Sequence, residues 1–511
     1  MNPIELSIFA RRIDAVCDEM GAQLRFAAFS PNIRDRLDFS CAVFDPQGGL
    51  CAQAAHIPVH LGSMAFAMQQ IVAARNWRPG DFITLNDPYL GGTHLPDVTV
   101  VSAVFVQGQL MGFVANRAHH ADIGAETPGS MPVSTSLYQE GVVIPPTCIG
   151  REGEIDQQVI AELFRDARNP RDTLGDIAAQ CSANLLGIRR LKELVENFGR
   201  SRYLDLLGEL NDYGRQIAQS TVARIPEGTY AFTDYMEDDG QGSTDLAVSV
   251  ALQVGDGQVE LDFAGTASQV TGNINCPLSV TAAAVFYVFR CLMPKETPAC
   301  AGSFSPFRLR VPEGSLLNAN RPAAVAAGNV ETSSRIVDAV LGALSEALPG
   351  EVPACSQGTM NNLALGNSTG RAWGYYETVA GGMGGSRHVP GLSAVQTHMT
   401  NTQNTPVEVL EISYPLRVRR YAIREGSGGF GLHSGGDGLI RELEFLDSAT
   451  FTILSERRIR PPWGLNGGQA GKAGANFLNG ERLPGKVRRD VRAGECLRIE
   501  SPGGGGWGQV T

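Results

Sequence analysis

Glycine and proline interrupt the whole chain at no fixed period, which limits how far any regular helix or strand can run. There are 60 glycines and 28 prolines among 511 residues, with glycine clusters such as GSGGFGLHSGGDG and SPGGGGWG near the C-terminus. This distribution favours a turn-rich mixed fold over a helical bundle. A chain of this length also exceeds what one hydrophobic core usually organises, so we expect several domains. The predicted fold class is α+β, with several layers of mixed elements.

Hydrophobic periodicity divides the chain into four predicted regions. Residues 1–150 open with an amphipathic helix and continue as short strand-like runs, which predicts an α/β region. Residues 151–225 show helical periodicity interrupted at Pro170, and residues 226–410 combine strand-like runs with two apolar helices. Residues 411–511 alternate strand-like runs with glycine clusters, which predicts a β-rich C-terminal region.

Charge and cysteine usage narrow the class of protein. Acidic residues outnumber basic ones by 53 to 42, so the basic excess typical of a nucleic-acid binder is missing. The ten cysteines form no C-x-x-C pair, which indicates reduced thiols and a cytoplasmic location. The sequence shows neither a signal-peptide pattern nor an apolar run of about 18 residues. We therefore expect a cytoplasmic protein that binds neither nucleic acid nor membrane.

One predicted hairpin brings chemistry-bearing residues together. The runs DVTVVSAVFV and LMGFVA flank QGQ, which predicts two antiparallel strands turning near Gly108. Asp97 and His119 are both eleven residues from Gly108, so they should face each other within about one residue of register. His94 lies in the loop that enters the same end of the hairpin. Two imidazoles and a carboxylate suit zinc, iron or manganese, with a position left for water or substrate.

Other candidate residues lie close to this hairpin in the sequence. A further oxygen ligand is expected from RLDFSCAVFD, where spacing alone does not choose among Asp35, Asp38 and Asp45. His56 and His60 are four residues apart in HIPVHLGSM, but the proline between them argues against one helical face. We expect these two histidines to position neighbouring groups rather than to bind the metal.

The stretch NRAHHADIGAETPGSMP offers three more candidates. Adjacent residues of a strand point to opposite faces, so His119 and His120 should not both reach the site, and the register favours His119. Asp122 or Glu126 is a candidate general base for water. Either carboxylate would serve equally well as the cap of the following turn.

Two further motifs bear on substrate and nucleotide binding. The segment THMTNTQNTPVE offers His398 and Asn401 as candidate substrate contacts. The glycine clusters lack the lysine and hydroxyl residue of a phosphate-binding loop and are not set between a strand and a helix. We therefore expect any nucleotide chemistry to take place on a partner.

Taken together, the motifs resemble one known family. DFSCAVFD, HIPVHLGSM, NDPYLGGTHLPDVTVV, NRAHHADIGAETPGSMP, GNVETSSRIVDAVLGAL and GGFGLHSGGDGLIRE are similar to segments of the hydantoinase B and 5-oxoprolinase family. That family also includes the alpha subunit of acetone carboxylase. The resemblance extends over nearly the whole chain.

The resemblance implies a hetero-oligomeric enzyme built from two kinds of subunit. An A-type subunit would use ATP and Mg²⁺ to phosphorylate the carbonyl oxygen of the substrate, and the B-type subunit would complete the reaction at a bound divalent metal, Zn, Mn or Fe. The family's metal-ligand motif falls on His94, Asp97 and His119, with Asp38 as a further ligand.

The resemblance leaves three interpretations of the function. The leading one is a B-type subunit that hydrolyses a small cyclic amide of the hydantoin or 5-oxoproline type after its activation. The second is a component of an ATP-dependent carboxylase for acetone or a related ketone. The third is a structural partner whose metal only fixes the end of the hairpin.

Overall fold

The computed structural model describes residues 2–55, 57–367 and 372–510. Its α-helices, in chain order, are α1 (Pro3–Ala27), α2 (Pro31–Arg34), α3 (Ser63–Val72), α4 (Gln157–Leu163), α5 (Pro170–Phe198), α6 (Arg200–Val222), α7 (Leu278–Leu292), α8 (Ser333–Ala347) and α9 (Val407–Ser413). None of the helices in these residue ranges has the length and apolar character needed to cross a membrane.

The strands alternate with these helices and fall into four sheets. In the N-terminal part they are β1 (Phe39–Phe44), β2 (Leu50–Ala55), β3 (Phe82–Leu85), β4 (Asp97–Val106), β5 (Gln109–His119), β6 (Thr147–Arg151) and β7 (Glu154–Ile155). The next are β8 (Gly228–Asp238), β9 (Thr244–Gly255), β10 (Gln258–Asp262) and β11 (Phe307–Arg310). The remaining strands are β12 (Asn362–Asn367), β13 (Trp373–Glu377), β14 (Leu416–Arg424), β15 (Gly438–Phe445), β16 (Ala449–Leu454), β17 (Ala475–Leu478), β18 (Glu481–Leu483), β19 (Lys486–Val491) and β20 (Cys496–Glu500).

Sheet topology confirms the predicted α+β class. The N-terminal sheet has the order β2-β1-β5-β4-β3-β6-β7 and is antiparallel throughout. The second sheet, β11-β10-β9-β8, contains one parallel pair, β10 with β11. The two C-terminal sheets have the orders β13-β12-β16-β19 and β14-β15-β20-β17-β18. The four domain ranges drawn from the sequence stay a prediction.

Local signals explain where the long helices begin and end. The Asn2 side chain accepts hydrogen bonds from the backbone N–H groups of Ile4 and Glu5 and so caps the N-terminus of α1, the predicted amphipathic helix. Helix α5 begins at Pro170, where the missing N–H costs nothing, and ends before Gly199, whose φ is 78°. Helices α4, α5 and α6 thus lie within the predicted helical section, and the helical structure is interrupted before Pro170.

The N-terminal sheet is covered on both faces, which explains why its central strands β4 and β5 are buried along nearly their whole length. Helices α1, α5 and α6 pack on one face, with Phe9, Ile13 and Leu191 among the buried contacts. Helix α3 covers part of the other face through Met64 and Met68. Burial on both sides makes the sheet a rigid base for the loops at its ends.

The C-terminal glycine segments pack backbone against backbone. A Cβ placed on Gly382 would lie 2.0 Å from the carbonyl oxygen of Gly436, and one on Gly504 would lie 2.1 Å from that of Met383. Gly436 donates a backbone hydrogen bond to Met383 and Gly504 donates one to Gly436, at 2.8 and 2.9 Å. These glycines therefore serve close backbone approach.

A buried ionic cluster joins the second sheet to the C-terminal half. Arg457 Nη2 lies 2.6 Å from a carboxylate oxygen of Asp234 and 2.6 Å from one of Asp338, and Arg335 contacts the same two aspartates. All four side chains are buried. Because a lone buried charge is costly, these groups hold strand β8, helix α8 and the segment after β16 in one arrangement.

Candidate metal centre

The hairpin of β4 and β5 has the register that the sequence predicted. Asp97 pairs directly with His119. The turn itself is centred half a residue earlier than assumed, because Val106 pairs with Gln109 and Phe105 with Leu110. A bulge after Val104, which pairs with Gly112, then shifts the partner strand by one residue. The bulge is therefore what places His119 opposite Asp97.

The loop that carries His94 is fixed by a side chain at its start. Asn86 Nδ2 donates to the carbonyl oxygens of Leu95 and Val142 at 2.8 and 2.9 Å, and its Oδ1 accepts from Ile144 N at 2.7 Å. Asp87 caps the short turn that follows by accepting from Tyr89 N. The buried Asn86 thus holds both ends of the loop before the chain enters β4.

His94, Asp97 and His119 converge in the interior. His94 Nε2 lies 3.3 Å and His119 Nδ1 lies 3.4 Å from Asp97 Oδ1, and the two rings are 5.0 Å apart. All three side chains are buried. One ligand atom from each lies within 4.8 Å of the others. Asp38 stands at the edge of this group, with Oδ2 3.9 Å from His119 Nδ1.

The second carboxylate oxygen of Asp97, Oδ2, is held by His60 and Thr93. His60 Nε2 lies 3.3 Å from Asp97 Oδ2, and His60 Nδ1 lies 2.9 Å from Ser40 Oγ. Thr93 Oγ1 donates to the same oxygen of Asp97. A carboxylate only accepts, so the hydrogen of the His60 ring belongs on Nε2 and Ser40 donates to Nδ1. His60 lies in a 3₁₀ turn that starts at Pro58 and is placed to orient Asp97.

The histidine at position 94 is oriented in the same manner. Its Nδ1 lies 3.4 Å from the carbonyl oxygen of Ala326, which can only accept, so Nδ1 carries the hydrogen. Nε2 then presents a lone pair toward Asp97. Fixing the tautomer of a ligand histidine through its other nitrogen is the usual arrangement around a protein-bound metal.

Electrostatics favour an ionised carboxylate at the centre. Burial opposes ionisation of Asp97, but the neighbouring His94 and His60 hold the pKa of its carboxyl well below the usual range. Burial likewise opposes the charging of His94, yet Asp97 and Asp38 raise its pKa above the ordinary value. Burial prevails at His119 and lowers its pKa. The centre therefore concentrates negative charge where two imidazoles point.

The donor set fits a divalent transition metal. The Nε2 atoms of His94 and His119 are buried and make no hydrogen bond within the described residues, which is costly unless something else satisfies them. Two imidazoles and one carboxylate, with Asp38 beside them, match the nitrogen and oxygen ligands preferred by zinc, iron and manganese. We name the group of His94, Asp97, His119 and Asp38 the metal cluster.

A small cavity adjoins the metal cluster. Its volume is about 20 Å³, enough for about one water molecule. Asp38, His60, Asp97 and His119 contribute the N-terminal part of the lining. Ile57 and Val59, which flank Pro58, belong to the same part. The rest of the lining comes from residues far along the chain: Asn329, Val330, Met360, Tyr376, Thr378, Met399, Thr400 and Thr402.

Tyr376 connects this second part of the lining to the metal cluster. Its ring stacks on the imidazole of His119, with ring centres 4.8 Å apart and planes 8° from parallel. The Tyr376 hydroxyl donates to Asn362 at 2.7 Å, and the guanidinium of Arg36 lies over the ring. No sequence motif marked Tyr376, because it looks like an ordinary residue of a strand.

Other predicted site residues lie elsewhere. His120 Nε2 contacts Gln180 at 2.9 Å and its ring stacks on Phe164, away from the metal cluster. Asp122 accepts from the backbone of Gly124 and Asn169 and so caps the segment before α5, while Glu126 is exposed. Neither carboxylate lines the cavity, so their positions favour the capping alternative for Asp122 and lend no support to a general base at either residue.

The two candidates from THMTNTQNTPVE differ in position. His398 Nδ1 contacts the Tyr287 hydroxyl at 3.3 Å, next to Met399 and Thr400 of the cavity lining, whereas Asn401 is exposed. A role for His398 or Asn401 in contacting substrate stays a prediction. His56 lies outside the described residues.

The chain belongs to the hydantoinase B/oxoprolinase family, whose model matches residues 2–510. Among its relatives, 5-oxoprolinase 1 of Arabidopsis thaliana is 41% identical over 99% of this chain, which spans 42% of that protein. A Pseudomonas protein named as the B-type subunit of a D-/L-hydantoinase is 31% identical over 99% of this chain and 90% of its own length. The chain thus spans about two fifths of the oxoprolinase and nearly all of the hydantoinase subunit.

Solved structures share the fold over its full extent. The ATP-dependent caprolactamase of Pseudomonas jessenii superposes with a TM-score of 0.93 at 26% identity, covering all of this chain and 91% of the other. An acetone carboxylase superposes with a TM-score of 0.89 at 20% identity, covering 99% of this chain and 76% of the other. The second likeness concerns the fold alone.

Proposed function

We propose that this chain is the metal-dependent, ring-opening component of an ATP-dependent cyclic-amide hydrolase. The observation that carries the proposal is the buried metal cluster, set in a chain that matches a B-type hydantoinase subunit along nearly its whole length. The substrate class follows from the names of the relatives, which refer to 5-oxoproline and hydantoin rings, and from the likeness to a caprolactamase.

The residues of the site would divide the work as follows. His94, Asp97, His119 and Asp38 hold the divalent metal, which when bound supplies a Lewis acid and lowers the pKa of water. His60 and Thr93 keep one oxygen of Asp97 engaged, so that the other faces the two imidazoles. Ala326 keeps the lone pair of His94 Nε2 directed at the same place. The burial of the site limits access of bulk water to the reacting ring.

An amide ring needs prior activation, because nitrogen donation makes its carbonyl carbon a poor electrophile. We assign that step to an A-type partner that binds ATP and Mg²⁺ and phosphorylates the ring carbonyl oxygen. Two observations support a partner: a relative of nearly equal length is named as one subunit of a hydantoinase, and the oxoprolinases are more than twice as long as the matched region. Neither glycine cluster of this chain has the sequence of a phosphate-binding loop.

Metal content and turnover of the same variants test this function. The wild-type chain, purified and combined with its A-type partner, should contain a divalent transition metal and open 5-oxoproline or hydantoin rings with consumption of ATP. His94→Ala should remove both the metal and the turnover. His120→Ala, which changes a buried histidine outside the metal cluster, serves as the matched control and should retain both.

Two results would overturn the proposal. Full turnover by a metal-free His94→Ala protein would leave the metal cluster without a catalytic role and favour a structural partner. Bicarbonate-dependent ATP consumption with acetone, together with no turnover of any cyclic amide, would favour a carboxylase.

A further inference from the structure

A single π-helical turn, Gly328–Thr332, forms part of the wall of the cavity. It is fixed from behind by the segment before α7. Gly328 donates to the carbonyl oxygen of Asn273 at 3.0 Å and lies so close to Asn275 that a Cβ would be 1.8 Å from its carbonyl oxygen. Thr332 Oγ1 donates to Ile274 O at 2.5 Å. Turns of this type are rare and often occur at functional sites.

Asn329, inside this turn, lines the cavity beside the metal cluster with an unused acceptor. The residue is 3% exposed and lines the same cavity as Asp97 and His119. Its Oδ1 is buried and makes no hydrogen bond within the described part of the chain. Leaving a buried carboxamide oxygen without a partner costs roughly 1–3 kcal/mol. An unpaired Oδ1 at this position therefore indicates a site for a hydrogen-bond donor from a ligand.

Neighbouring hydroxyl groups of the lining are already engaged with one another. Thr378 and Thr402 share a hydrogen bond of 2.7 Å, and Thr378 also accepts from Arg36 and Gln396. These threonines therefore close the wall. Asn329 differs from them because its acceptor, in the wall of the same cavity, meets no protein donor among the described residues.

We propose that Asn329 positions the cyclic amide by accepting a hydrogen bond from the ring N–H at Oδ1. This inference rests on the proposed function, since it names the group that would recognise the ring nitrogen at the same site. Phosphorylation of the carbonyl oxygen withdraws electrons from the ring nitrogen, so while the nitrogen keeps its hydrogen it becomes a stronger donor. A neutral carboxamide accepts such a hydrogen bond without removing the proton.

The size of the cavity adds a requirement. About 20 Å³ admits a water molecule but no five-membered ring, so the cavity must widen for substrate to enter. Asn329 lines this cavity together with the metal ligands Asp38, Asp97 and His119. A ring held between them would have its nitrogen at Asn329 and its carbonyl carbon toward the metal cluster.

The test compares ring N–H substrates with their N-methyl analogues, using the full chain together with its ATP-binding partner. Wild-type protein should prefer the N–H form in kcat/KM. Asn329→Ala should lower kcat/KM for the N–H form by about 10-fold to 100-fold, the range expected for loss of one buried hydrogen bond, and leave the N-methyl form nearly unchanged. Asn329→Asp, which keeps the acceptor Oδ1 and replaces the amide NH2 by a second oxygen, should retain the preference for N–H even if its overall rate falls.

Asn273→Ala provides the matched control. Asn273 is a buried asparagine near the same turn whose Nδ2 donates to Pro132 O at 2.7 Å, and it does not line the cavity. Its replacement should affect both substrates equally. Metal content and thermal unfolding of every variant are measured alongside turnover, so that loss of metal or of folding is recognised independently.

The possible results distinguish the role of Asn329 from the proposed function of the chain. Equal losses for both substrates in Asn329→Ala, or loss of metal from that variant, would overturn the role in recognising the ring nitrogen. Loss of the N–H preference in Asn329→Asp would do the same. Failure of wild-type protein to open any cyclic amide would instead overturn the proposed function, and the inference with it.

Discussion

Replacing His60 with alanine should weaken metal binding without abolishing it. His60 touches Asp97 Oδ2 at 3.3 Å and Ser40 Oγ at 2.9 Å, and it is not a member of the metal cluster. Its removal leaves Thr93 as the remaining side-chain donor to that oxygen among the described residues. Asp97 then becomes free to turn, and its carboxylate no longer faces both imidazoles.

The magnitude follows from the number and burial of the lost contacts. Removing a buried group that orients a metal ligand typically lowers metal affinity by 10-fold to 100-fold, or about 1.4–2.8 kcal/mol of binding free energy. The metal-free protein should also lose roughly 1–3 kcal/mol of stability, because Ser40 Oγ and Asp97 Oδ2 each lose a buried hydrogen bond.

The assay is a metal titration against a competing chelator, combined with thermal unfolding in the absence of metal. His120→Ala is the control, since His120 is equally buried and its ring contacts Gln180 and Phe164, away from the metal cluster. It should lose stability but keep wild-type metal affinity. Unchanged affinity in His60→Ala would refute the reasoning, and complete loss of metal would instead make His60 a ligand.

Three further predictions test other parts of the structure. Gly112→Ala should destabilise the fold by ~1–3 kcal/mol and reduce metal content, because its Cβ would lie 2.4 Å from Phe44 O at the bulge; denaturant titration and elemental analysis measure this. Burial raises the pKa of Glu331 to about 8, so the free energy of unfolding should fall as pH rises from about 4.5 to about 8. The unfolding midpoint of Glu331→Gln should depend less on pH across that range than the midpoint of the wild-type protein. Gly504→Ala should sharply lower the melting temperature, whereas Gly208→Ala, with open space around its Cβ inside helix α6, should be neutral or slightly stabilising.

The part of the site that depends on local structure was predictable from the sequence. His94, Asp97 and His119 belong to one hairpin and its entry loop, so turn position and strand pairing bring them together. The predicted centre of that hairpin was half a residue away from the turn that forms, and the bulge at Met111 compensated for the difference. A bulge leaves no clear signal in a single sequence. The pairing of Asp97 with His119 was therefore predicted without knowledge of the bulge, within a stated uncertainty of one residue.

The rest of the lining depends on contacts across hundreds of residues. Tyr376 lies on β13, which with β12 contacts the N-terminal turn Pro128–Ser130, and Asn329 lies in the π-helical turn before α8. No periodicity in the sequence encodes either placement. The burial of charged residues could likewise not be read from the sequence. Arg335 and Arg457 look like surface residues in the sequence, and only the folded chain shows them enclosed with Asp234 and Asp338.

The glycine layers of the C-terminal half have a genetic consequence. Every single-nucleotide change that replaces a glycine introduces a side chain or a stop, and at Gly382 or Gly504 any Cβ meets a neighbouring carbonyl group. Nearly all missense alleles at these codons should therefore be loss-of-folding alleles, wherever they lie relative to the metal. Screens for impaired activity will recover them alongside true active-site alleles, and measurement of protein abundance will separate the two classes.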